Sequence, residues 1–264
     1  MTGLVLTPRQ DFEARVDLTG ALPSAKDLAK LKVGYGVSRV ELGELFSVSG
    51  APNGRLTIEG GSGALDRVGA GLAEGEIVVD GDVGSGLGLR MTGGAISVKG
   101  SAGDYAASEL SGGKIAIVGD VGARLGAAGD GSKRGMSGGA VVVGGSAGAR
   151  AGERLRGGVV VIKGDAGDGA GTSMIAGTLA VLGKLGRNAG RGMKRGTLFA
   201  TSSDGLSAGF ADAGPHDLVF LRVLARRSPE LAAFLGDGDK PISARRFAGD
   251  LTIGGKGEAL IVSR

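Results

Sequence analysis

This sequence predicts an all-β chain, a parallel β-helix capped at both ends, and three observations carry the prediction. Glycine fills 56 of 264 positions. One strand-like phrase recurs: GGAISVKGSAG from Gly93, GGKIAIVGDVG from Gly112, GGAVVVGGSAG from Gly138 and GGVVVIKGDAG from Gly157. No proline lies between Pro52 and Pro215, so no ladder donor is missing there. Collagen would need glycine at every third position with abundant proline, and disorder would need low hydrophobicity. Neither describes this chain.

The repeat is set by the glycine before each strand: Gly54, Gly75, Gly94, Gly113, Gly139, Gly158, Gly177 and Gly196. The intervals are 21, 19, 19, 26, 19, 19 and 19 residues. Six residues on stands a second glycine, from Gly60 to Gly183, and three further a third, from Gly63 to Gly186. Three residues before the next repeat comes Leu72, Met91, Leu110, Met136, Leu155, Met174 or Met193. So short and glycine-rich a unit excludes a helix pair. Two apolar columns alternate in each strand. One runs Leu56, Ile77, Ile96, Ile115, Val141, Val160, Leu179, Leu198; the other starts at Ile58 and ends at Ala200. Period 2 makes these inward faces of strands. A unit of this length holds three short strands, with glycines at the turns. Stacked at about 4.8 Å, eight such units form an array ~35–40 Å long.

The flanks are read as caps, giving an N-terminal cap over 1–53, the array over 54–200 and a C-terminal cap over 201–264. All seven phenylalanines lie outside the array or at its last edge, where open ends need cover. The C-terminal cap is partly helical: one helix over 217–227, then a short one with Ser228 as N-cap, Pro229 first and Glu230 next, ended by Gly236. Two late strands are expected at 251–253 and 259–262.

Composition narrows the chemistry. The chain has no cysteine, one histidine and a formal charge of +4. Disulfides, thiolate metal sites and Fe–S ligands are excluded, and a reducing, cytoplasmic setting fits. No signal peptide or membrane-length apolar run is read. No G-x-G-x-x-G motif occurs, so a dinucleotide site is excluded. A six-residue-repeat acyltransferase would need a catalytic histidine on the array; His216 lies beyond it, as a helix-entry or packing residue. A carbohydrate-cleaving β-helix would need clustered carboxylates. The acidic column Asp82, Asp120, Asp165 sits on alternate repeats, ~9–10 Å apart, and is assigned to closing turns onto backbone N–H groups. Ice binding would need a threonine ladder, which is absent. No catalytic residue and no metal site is assigned.

Basic turns are what is left. Arg124 and Arg150 share a column in adjacent repeats, with Arg154 beside them. The 26-residue repeat carries seven extra residues around Lys133 and Arg134, expected to protrude. These form either a solvated basic face or a contact for a partner or polyanion. Nucleic acid is not favoured, because Tyr105 is the array's one aromatic for stacking.

GEIVVDGDVGSGLGLRMTGG and GGVVVIKGDAGDGAGTSMIAG resemble the C subunit of formylmethanofuran dehydrogenase and the C-terminal β-helix domain of the glutamate synthase large subunit. VGYGVSRVELGELFSVSG and GPHDLVFLRVLARR are similar to the C-subunit family of bacterial formyltransferase/hydrolase complexes. The resemblance implies a right-handed β-helix and a non-catalytic scaffold subunit in one-carbon metabolism. It implies partners: a formyltransferase subunit, an amidohydrolase-like subunit holding the metal, and a dehydrogenase-B-like subunit. It also implies that the complex moves formyl from formyl-tetrahydromethanopterin to a methanofuran-type carrier and hydrolyses it to formate. The carrier's polyglutamate tail would then meet Arg124, Lys133, Arg134, Arg150 and Arg154. The alternatives are a tungsten or molybdenum formylmethanofuran dehydrogenase subunit and a glutamate synthase-type domain.

Overall fold

A computed structural model describes residues 3–235 and 243–262. The N-terminal segment forms β1 (Leu4–Pro8), β2 (Val16–Asp17), β3 (Lys32–Tyr35), β4 (Ser38–Glu41), the short helix α1 (Leu42–Leu45) and β5 (Phe46–Ser49). The repeats follow as β6 (Arg55–Ser62), β7 (Leu65–Asp66), β8 (Glu76–Val83), β9 (Ala95–Val98), β10 (Lys114–Ile117), β11 (Ala140–Val143), β12 (Val159–Ile162), β13 (Thr178–Val181) and β14 (Thr197–Ala200). The C-terminal segment adds β15 (Ala211–Asp217), α2 (Val219–Arg227), α3 (Ala232–Leu235), β16 (Ser243–Gly249) and β17 (Gly257–Ile261).

The expected columns are rungs of one parallel sheet. Leu56 pairs with Ile77, Ile77 with Ile96, Ile96 with Ile115, Ile115 with Val141, and so on to Leu198. Every one of these side chains is buried, at roughly 1.5–3 kcal/mol of transfer free energy each. The register holds across the 26-residue repeat, where Lys114 pairs with Ala140. Each repeat also bonds its neighbour elsewhere. A line of parallel bridges links Val83, Ala102, Val121, Ala147, Ala166 and Leu185. A third line of N–H···O=C bonds runs Gly88 to Val68, Ala107 to Leu87, Gly126 to Ala106 and Gly152 to Leu125. Between the lines the buried Leu/Met column, from Leu72 to Met193, fills the interior.

The stack runs past the repeats at both ends. β1 pairs parallel with β6, and β17 parallel with β14. Antiparallel strands then finish the 13-stranded sheet, β5 on β1 at one end and β16 then β15 on β17 at the other. A small sheet, β4-β3-β2-β7, sits at the N-terminal end, where Phe12 and Phe46 meet at 5.3 Å between ring centroids.

The C-terminal segment differs from expectation in three places. The helix begins at Val219, because 211–217, which include Pro215, are extended in β15. His216 therefore lies in a strand opposite Ala244. Ser228 makes no side-chain cap bond; a 3-10 turn at Pro229–Leu231 runs into α3, while Gly236 lies outside the described residues. Residues Leu251–Ile253 are a 3-10 turn, not a strand, because the Asp250 side chain accepts from the Thr252 N–H. Leu221, Ala225, Leu231 and Phe234 form a second core over the outer face of the sheet, on Val161, Ala180 and Phe199.

Candidate functional site

Three corner positions hold positive φ in every repeat but the 26-residue one, which keeps two, and that geometry builds the turn face. One column is Arg67, Gly86, Tyr105, Arg124, Arg150, Gly169, Asn188; a second includes Arg90, Glu109, Arg154 and Ser173. All ten non-glycine residues with positive φ among the described residues stand at these corners. An L-residue there costs about 1–2 kcal/mol relative to the right-handed conformation. Outward side chains at these corners are thus held at a conformational cost that glycine would avoid.

The seven extra residues, expected to protrude, leave Asp130, Gly131, Lys133 and Arg134 exposed, and their polar groups tie them to the corners. The Tyr105 hydroxyl donates to Asp130 Oδ1 at 3.0 Å, and Arg124 Nη1 donates to the same oxygen at 3.2 Å. Gly129 N–H donates to Glu109 Oε1 at 3.3 Å, and Arg154 Nη1 donates to the Ser132 carbonyl at 2.9 Å. Burial, then the Asp130 bond, holds the Tyr105 hydroxyl above its ordinary pKa.

The five basic residues singled out in the sequence take unequal roles. Arg124 is largely committed: its guanidinium lies 5.3 Å from the Tyr105 ring centroid, and its Nε is 3.9 Å from Glu153 Oε2. Arg150 Nη1 stands 4.0 Å from that same buried oxygen, which accepts no hydrogen bond. Glu153 thus neutralises part of the column, a role nothing in its spacing announces. Arg154 donates to a carbonyl, which carries no formal charge to offset its own. Lys133 and Arg134 are exposed. Further along, Arg150, Arg187 and Arg191 border a hollow of about 420 Å³ with Asp168, which pairs with Arg187 at 2.8 Å.

A larger cleft of about 740 Å³ lies between the small N-terminal sheet and residues 129–132. Its floor carries Gly86, Leu89 and Tyr105, and its N-terminal wall Gly34 and Gly36. Ion pairs ring it: Arg15 with Asp66, Arg67 with Asp17, and Arg90 Nε with Glu109 Oε2 at 2.8 Å. The Arg90 bond leads in holding Glu109 below the ordinary carboxylate range. Sequence reading missed this cleft, because β2 and β3 are far from Tyr105 in the chain.

The acidic column does close onto backbone N–H groups, but those of the next repeat. Asp82 accepts from Ser101 N–H, Asp120 from Ser146 N–H and Asp165 from Lys184 N–H, each at 2.7 Å. Ser101 and Ser146 Oγ accept in turn from Asp120 and Asp165 N–H. Among the described residues, no group of three His, Cys, Asp or Glu is placed to hold a metal. None of their helices is long and apolar enough to cross a membrane.

Residues 67–213 match the GXGXG motif family. An 85-residue stretch is 42% identical to the C subunit of the formyltransferase/hydrolase complex Fhc of Methylorubrum extorquens, covering 30% of this chain and 32% of that protein. A 94-residue stretch is 33% identical to the C subunit of molybdenum-containing formylmethanofuran dehydrogenase 1 of Methanothermobacter thermautotrophicus, covering 33% of this chain and 24% of that protein. The matched stretches thus span a third or less of these curated relatives. One solved structure matches far more: a chain of the formyltransferase/hydrolase complex FhcABCD from Methylorubrum extorquens, crystallised with methylofuran. It is 40% identical, with a TM-score of 0.90 over 98% of this chain and 100% of that one. By the motif over more than half its length and the fold shared from end to end, this chain belongs to the GXGXG motif family, among the C subunits of formyltransferase/hydrolase complexes.

Proposed function

We propose that this chain is a non-catalytic scaffold subunit of a cytoplasmic complex that transfers formyl from formyl-tetrahydromethanopterin to a methylofuran-type carrier and hydrolyses it to formate. The observation that carries the reading is the end-to-end likeness to a chain of FhcABCD, a complex solved with methylofuran. The three lines of inter-repeat bonds support a parallel β-helix over 54–200, right-handed by the family resemblance, with caps over 1–53 and 201–264 that each lend one parallel rung. Such a rod suits a scaffold, because every repeat is tied to its neighbours and offers flat sides to partners. The partners in this reading are a formyltransferase subunit, a metal-bearing amidohydrolase-like subunit and a dehydrogenase-B-like subunit.

Lys133, Arg134 and Arg150 contact the carrier's polyglutamate tail in this reading, with Arg124 and Arg154 holding the surface in shape. The exposure of Lys133 and Arg134 and the hollow beside Arg150 support that division. The test is to purify the tagged protein from its native host and identify what co-elutes. The expected result is a formyltransferase and an amidohydrolase-like subunit with carrier bound, and release of carrier at lower salt when Lys133, Arg134 and Arg150 are reversed to Glu. Unchanged carrier retention in the reversed complex would sink the tail contact. The molybdenum enzyme's 33% identical stretch favours one second reading: co-elution of a pterin-metal subunit with Fe–S partners would move the chain to a dehydrogenase.

A further inference from the structure

The corner column has an empty rung. In sequence order it reads Arg67, Gly86, Tyr105, Arg124. Arg124 covers one face of the Tyr105 ring from the following repeat. On the preceding repeat stands Gly86, with no side chain to meet the other face. A Cβ there would find Arg67 Cγ at 3.2 Å and nothing else closer than 3.8 Å. The cleft opens at this rung, Leu89 beside it and the side-chain-free Gly34 and Gly36 opposite.

We propose that this cleft receives a short peptide segment of a partner subunit, whose aromatic side chain fills the rung over Gly86 and stacks on Tyr105. The inference rests on the chain being a subunit of the complex described above. A ring in that slot has Tyr105 on one side, in the offset geometry aromatic pairs favour, and the Arg67 side chain on the other. The platform is fixed in advance, since Asp130 holds the Tyr105 hydroxyl and Arg124 backs its ring. At about 740 Å³ the cleft exceeds one side chain and suits a few residues of extended chain. Its ion pairs present both carboxylates and guanidinium groups, which match backbone N–H and C=O groups. Four lining carboxylates (Asp17, Asp66, Glu109, Asp130) face three lining guanidinium groups (Arg15, Arg67, Arg90). Each of these carboxylates is paired, Asp130 with Arg124, so the cleft has no excess positive charge to hold a polyanion, unlike the basic hollow at Arg150.

The test uses the assembled complex from its native host. Tyr105→Ala removes the platform, Tyr105→Phe keeps it, and Gly86→Asn fills the rung with a residue that tolerates positive φ. Tyr105→Ala and Gly86→Asn are expected to speed release of one partner subunit tenfold or more, with Tyr105→Phe within threefold of the parent. Circular dichroism melts of each isolated chain check the fold. If either variant fails to fold, a photo-crosslinking residue at Ser132 in the otherwise unchanged complex decides. A crosslinked partner peptide containing an aromatic residue supports the proposal. Crosslinks only within this chain, or to a peptide without an aromatic, overturn it, as does release within twofold for both variants. A parent chain that assembles with no partner overturns the subunit reading itself, and this inference with it.

Discussion

Gly138 and Gly63 are both glycines of the repeat, yet they stand in different surroundings. A Cβ at Gly138 would sit 2.3 Å from the Ser111 carbonyl oxygen, in the backbone of the previous repeat. One at Gly63 would meet nothing within 4 Å, and its φ is ordinary. Gly138→Ala should therefore destabilise by about 1–3 kcal/mol, the cost of overpacking. Gly63→Ala should be neutral or stabilise by about 0.4–1 kcal/mol, by restricting the unfolded chain. Urea unfolding of the two variants checks this, and equal effects would contradict it. The sequence showed that glycine recurs at fixed offsets, but not why at each. The apolar columns were fully legible, because period 2 reports burial directly. The corners were not: Arg67, Tyr105 and Glu109 adopt a conformation that spacing alone would reserve for glycine.

Among the elements, the closing of the C-terminal end rests on Asp250. Its carboxylate is buried and accepts from Gly192 N–H at 2.8 Å, Thr252 N–H at 2.9 Å and Thr252 Oγ1 at 2.6 Å. Burial alone would raise its pKa, but these bonds and nearby Arg191 outweigh burial and hold it below the usual range. A depressed folded pKa means that the stabilisation is complete above the unfolded carboxylate value of about 3.9. It is lost as pH falls through the folded value. Asp250→Asn should remove this part of the acid dependence and cost about 1–3 kcal/mol at neutral pH, because an amide N–H would face the Gly192 N–H. Thermal melts from pH 7 to 3 read both effects; a variant with an unchanged acid limb would contradict the assignment. Helix α2 was visible in LVFLRVLARR, but its resting place was not inferred. The signal is in the outward positions, which change from Thr57, Val78, Ser97 and Ala116 to Val142, Val161, Ala180 and Phe199. A strand face that turns apolar on both sides needs cover, and the C-terminal helices supply it. The cleft was illegible for a different reason: its walls are joined by the short pairing of Val16 and Asp17 with Leu65 and Asp66 and by the ion pairs Arg15–Asp66 and Arg67–Asp17, between segments about 50 residues apart in the chain.

For the molecule as a whole, stability is distributed along one axis. Each central strand has a parallel neighbour on both sides, whereas β15 pairs on one side only and is exposed along nearly its whole length. Native-state hydrogen exchange should show the greatest protection in β9–β12 and a decline toward β15, since local opening tracks missing neighbours. Uniform protection from end to end would mean that the chain opens only as one unit. The unbroken register across the 26-residue repeat has a further consequence. Extra chain leaves the array only at a corner and adds nothing to its length, so residues 129–135 decorate the rod without stretching it. Length can change only by whole repeats, in steps of about 4.8 Å. In the proposed scaffold role, the separation of two partners would be counted in integers, while the surface between them is free to vary one corner at a time.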